Sequence, residues 1–162
     1  MTGRGNSIGY GRDEMCELLA AGAQLEDRPS AAAAVHLLTF TDLPGRRDFA
    51  RHARVETVTD ARPGTAVTGA WVRDWAALLN DGSVYLSSGP RRLVEVAASY
   101  ATGRPVDIRD ASSGLGTAHA RRLIEAVVIG TGTAGYYTIT GTAKLAGLRR
   151  WHGGLPGDVG VQ

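Results

Sequence analysis

Residues Val127 to Tyr137 read VVIGTGTAGYY, three apolar β-branched residues followed by glycine at 130, 132 and 135. How this stretch folds decides the architecture. If the triplet is a strand and a helix starts at the glycines, the segment is a dinucleotide-binding turn in a parallel α/β protein, with a pyrophosphate on the helix's first amides. If the triplet ends a helix, the glycines only let the chain reverse.

The neighbouring residues favour the second reading. Upstream, Ala120, Leu123, Ile124, Val127 and Val128 recur every three or four residues, which predicts a helix from Thr117 onward. Downstream, Tyr136 to Thr140 alternates β-prone residues and predicts a strand. The acidic residue that a dinucleotide site places about 20 positions later would be Asp158, in a Gly/Pro-rich tail with no second strand. Lys144 follows an alanine, so there is no phosphate-binding Gly-Lys-Ser/Thr either. A nucleotide-binding protein or enzyme using Gly130 to Gly135 is therefore the third alternative for function, and no cofactor is expected.

The whole chain reads as one mostly helical α+β domain with short antiparallel strands. Its 162 residues suit a single core, and 43% hydrophobic with 21% charged residues is ordinary globular usage. No apolar run approaches the roughly 18 residues of a membrane span, and MTGRGNSIGYGRDE has no signal-peptide core, so the expected compartment is the cytoplasm. The lone Cys16 excludes an internal disulfide and a cysteine-based zinc cluster. Residues 1–12 read as a flexible arm, 13–150 as the domain and 151–162 as a flexible tail.

Within the domain, Asp13 reads as the cap of a first helix that ends near Gly22, and Pro29-Ser30 opens a second, AAAAVHLLTF, whose Val35 to Phe40 also fits a strand. A short basic helix is expected through Phe49 and Ala53. Residues 55–70 alternate around Arg62-Pro63-Gly64 and predict a two-stranded element. Trp71 to Leu79 predicts a helix with Trp71 and Trp75 one turn apart. Ser83 to Leu86 predicts a strand, and Ser87-Ser88-Gly89-Pro90 opens a helix with a Leu93, Val96, Ala97, Tyr100 stripe that stops at Gly103.

The order from 83 to 141 (strand, helix, short helix, glycine turn, helix, hairpin) resembles a winged-helix unit, in which the third helix enters the DNA major groove. Ser113-Gly114-Leu115 resembles the turn of a helix-turn-helix, although Arg109 and Asp110 stand where small packing residues are usual. The resemblance implies nucleic-acid contacts from Thr117, His119, Arg121 and Arg122, and Arg121 would read a guanine edge. Arg91 and Arg92, at the start of the preceding helix, would add an anion site, since guanidinium groups hold phosphate bidentately. Against this, lysine occurs only at 144 while arginine recurs in pairs, a pattern that coding bias also produces. The charge of +2 with pI near 9.0 permits nucleic acid without demanding it.

Catalytic arrangements are scarce. His36, His52, His119 and His152 lack metal-site spacing, so no metal is expected. Cys16 sits among carboxylates, not activating cations, and the serines lack a nucleophile elbow. The expectation is a small regulatory or nucleic-acid-binding protein. The alternative is a protein interaction module or self-associating chain using the Trp71/Trp75 helix or the apolar N-terminal helices.

Overall fold

A computed structural model describes residues 9–59 and 64–140. The chain runs α1 (Arg12–Glu26), α2 (Pro29–Phe40), α3 (Arg47–Ala50), β1 (Ala53–Thr59), β2 (Ala66–Val72), α4 (Trp75–Asn80), α5 (Ser88–Thr102), α6 (Ile108–Ser112) and α7 (Thr117–Gly130). Among the described residues it is a mostly helical α+β fold with one antiparallel pair of strands, the fold class that its sequence predicts. No helix among the described residues is long and apolar enough to cross a membrane. Residues 1–8 of the expected arm, Arg62-Pro63, the arginine pair at 149 and 150, Lys144, His152 and the tail lie outside the described residues.

α2 is the central element. Ala31, Ala33, Ala34, Leu37 and Leu38 are buried, and the helix touches α1, α5 and α7. Its alanines leave no side-chain bulk to hold those neighbours apart. Proline opens it at the first helical position, where the missing N–H is unneeded, and holds Arg28 extended before it. The chain turns from α1 into α2 through Asp27, which takes φ 49° and donates its N–H to the Gln24 carbonyl at 3.1 Å.

Two apolar cores flank α2. One joins α1, α3, α4 and the hairpin through Met15, Leu19, Leu38, Phe49, Ala70 and Leu78. The other joins α2, α5 and α7 through Leu37, Leu93, Val96, Ala97, Leu123 and Ala126. The hairpin pairs Ala53 with Val72 through to Thr59 with Ala66. α1 crosses it where glycine meets glycine. A Cβ on Gly69 would lie 2.9 Å from the backbone of Gly22.

Several sequence expectations are corrected. Trp71 lies in β2 and does not share a helix with Trp75, because the Asp74 side chain accepts from the amides of Ala76 and Ala77 and starts α4 after it. Ser83 to Leu86 is not a strand: the Asp81 carboxylate accepts from the Ser83 amide at 2.9 Å and its hydroxyl at 2.6 Å, winding the chain into a turn. α1 is preceded by Gly11, so Asp13 lies in its first turn, and the alternative strand at Val35 to Phe40 is helix. The basic helix is a single turn that gives way to β1 at Ala53.

At the other end, Ala134–Tyr136 forms a 3₁₀ turn in which the Tyr136 amide donates to the Thr133 carbonyl at 2.9 Å. Tyr136 to Thr140 therefore starts no strand, and its residues pair with no strand among those described. The strand expected to open a winged-helix unit and the first strand of its wing are both missing. Of that order α5, α6 and α7 remain.

Candidate functional site

The glycines of VVIGTGTAGYY end a helix. The Thr133 amide donates to the Val128 carbonyl at 3.3 Å and the Gly132 amide to the Ile129 carbonyl at 2.9 Å, with Gly132 at φ 73°. This is a Schellman cap, which needs a left-handed residue at that position. Gly130 packs beneath a ring: a Cβ there would lie 2.5 Å from Tyr100. One glycine supplies a backbone angle and the other a close approach.

Past the cap, Gly132, Ala134 and Gly135 form one wall of a trough of about 800 Å³. α1 and α2 supply the rest, with Ala20, Ala23, Ala32 and Val35 as apolar surface and Gln24, Asp27, Arg28 and Thr39 as polar groups. The trough exists because these alanines are too short to fill the space between two helices and the end of a third.

His36 and Cys16 also line it. His36 Nε2 lies 2.9 Å from a Glu125 carboxylate oxygen, and Glu125 accepts from Arg121 Nε at 2.8 Å. Arg122 Nε donates to the His36 carbonyl at 2.9 Å. These four residues stitch α2 to α7 under the trough. Burial pushes His36 below the usual histidine range, the Arg122 charge adds to this, and the hydrogen bond to Glu125 opposes it without prevailing. At neutral pH the ring is uncharged, and its Nε2–H donates to Glu125. Burial works against the Glu125 charge, but the hydrogen bonds from Arg121 and His36 outweigh it and hold this carboxyl below its ordinary range. Burial pushes the Cys16 thiol up, leaving it protonated and a poor nucleophile.

A pH dependence follows. A histidine whose folded pKa is depressed is held neutral, so its contribution to stability is full above the unfolded value, about 6.5, and is lost as pH falls through and below it. His119, also pushed down by burial, acts in the same window. Asp81, held well below the carboxylate range by Ser83 and then His52, adds a separate loss near and below about pH 4. Urea midpoints of the wild type should therefore drop between neutral pH and about pH 5, and His36→Gln should flatten part of that drop. Equal midpoints across the window would contradict this account.

The residues expected to contact nucleic acid lie near the adjoining starts of α5 and α7. Gly89 abuts the His119 ring, which meets Phe40 edge-on at 5.4 Å between centroids, and Thr117 stands exposed at the start of α7. Each of the four arginines already has an internal partner. Arg91 pairs with Glu95 at 3.1 Å and Arg121 with Glu125, Arg92 donates to the Ser113 carbonyl, and Arg122 lies over the Phe40 ring at 5.3 Å.

A second polar cluster has the residue types of a nucleophilic triad but the wrong connections. His52 Nε2 and the Ser83 hydroxyl both bond the Asp81 carboxylate, at 2.8 and 2.6 Å, whereas a nucleophile must face the imidazole. The cluster ties the α4–α5 connection to the residue before β1. Among the described residues no three metal-binding side chains converge.

The chain matches no model of a known protein family, no curated protein and no solved structure. Its function is read from the site alone. Sequence reasoning passed over His36 and never singled out Glu125, which lie 89 positions apart. The alanine runs at 20–21 and 31–34 were the available signal, since two facing helices without bulk leave a gap.

Proposed function

We propose that the protein is an interaction module that receives an apolar polypeptide segment of a partner in the trough between α1, α2 and the end of α7. The carrying observation is the trough: about 800 Å³, alanine-walled, open to solvent, with Gln24, Asp27, Thr39 and the Glu26-paired Arg28 among its polar lining. Short walls let a partner backbone come close, and the His36–Glu125–Arg122 network beneath fixes the spacing of α2 and α7. Apolar side chains supply the affinity there, and Gln24 and Asp27 orient the segment.

Nucleic-acid binding at the start of α7 has less behind it, because Arg91, Arg92, Arg121 and Arg122 would have to leave present partners to meet phosphate. An amphipathic Leu/Lys helical peptide and a short DNA duplex at low salt separate the two readings in nuclear magnetic resonance titrations. Peptide should shift Ala20, Ala32, Val35 and Gly132 to Gly135, and Ala32→Glu, which sets a carboxylate in the wall, should weaken it more than about tenfold, or ~1.4 kcal/mol. Shifts from DNA at Thr117, His119 and Arg121, with none from peptide, would reverse the assignment.

A further inference from the structure

The trough has a counterpart on its own rim, and the inference drawn from this rests on the trough being a binding site. Gly135 lines the trough, and the next two residues, Tyr136 and Tyr137, are 85% and 65% exposed. Adjacent tyrosines standing free are costly in water and effective as anchors, because each ring offers a large apolar surface and a polar tip. Neither ring lines its own trough. One short segment thus carries both part of a hole and two knobs.

A surface holding a knob beside a hole is self-complementary. A two-fold axis satisfies both at once, since in such a pair residue i of one copy meets j of the other and j meets i. Arg28, at the trough's edge, already pairs with Glu26, so the exchange rests on the rings and the trough and not on the edge charges. A trough of about 800 Å³ is of drug-binding size, room enough for two phenol rings. We infer that the partner segment is Tyr136-Tyr137 of a second copy of this chain, the two copies exchanging tyrosines into each other's trough about a two-fold axis.

Sedimentation equilibrium on the full chain tests this with two variants, Ala32→Glu, which blocks the trough, and Tyr136→Ser/Tyr137→Ser, which removes the knobs. The exposed Ala20→Glu replaces the first if circular dichroism shows that Ala32→Glu fails to fold. The wild type should dimerise with concentration, and each variant should raise the dissociation constant more than about tenfold. An equal mixture of the two should regain an intermediate constant, because the mixed pair keeps one intact tyrosine-in-trough contact where each variant alone has none. A monomer at every concentration, a dimer that ignores both variants, a mixture no tighter than its components, or masses that grow beyond two copies would each overturn the exchange. A monomer that still takes the amphipathic peptide in its trough would overturn only the second copy. Loss of both would remove the trough as a site.

Discussion

Gly22→Val is expected to cost the fold at least about 3 kcal/mol, more than ordinary overpacking, because the obstruction is main chain. α1 crosses β2 at this residue. A Cβ would run into the Ala70 carbonyl oxygen, 3.1 Å from its carbon, with the Trp71 indole at the same distance on another side. A side chain in the way can rotate, but a strand's carbonyl cannot move without breaking the pairing of Val55 with Ala70. Gly135→Ala is the control, since a Cβ there meets nothing within 4 Å, and it should stay within about 0.5 kcal/mol. Urea unfolding of both variants checks the pair. A Gly22→Val protein as stable as the control would mean that α1 does not lie this close to the sheet.

Phe49→Ala should cost about 3–5 kcal/mol. Phe49 is fully buried, yet it belongs to α3, a helix of one turn that has no stability of its own. The ring holds that turn, and with it the start of β1, against the core that contains Met15 and Leu19. Arg46 closes the outside by bonding Asp48 at 3.0 Å and the Tyr85 carbonyl at 2.6 Å, but a partly exposed ion pair does not replace a lost aromatic ring. Phe49 does not line the trough, whose wall touches this core only through Val35. Phe49→Ala should therefore lower the unfolding midpoint sharply while leaving peptide affinity unchanged wherever the protein is still folded, and a parallel loss of affinity would show that the two cores act as one.

The long helices were legible because their signals are local and repeated. Leu93, Val96, Ala97 and Tyr100 mark α5 and Gly103 stops it, while Leu123, Val127 and Val128 carried α7 through the segment that imitates a dinucleotide turn. The hairpin was legible from its alternation. Short elements were not. Four residues at Ser83 to Leu86 alternate too briefly to outweigh one carboxylate that bonds its own backbone two residues on, and WVRDWAALL suits strand and helix equally until Asp74 caps the helix. Tyr136 to Thr140 has strand propensity but pairs with no strand among the described residues.

By itself, then, the sequence determined the fold class, the register of the main helices and the reversal at Gly130 to Gly135. Those depend on hydrogen bonds and side-chain periods within a few residues of each other. Only the tertiary structure decided where the site lies. The trough is volume left unfilled by alanines of α1 and α2 beside the capped end of α7, and the polar network beneath it joins His36 to Glu125. Unfilled volume is a property of three elements packed together, so no single stretch of residues encodes it.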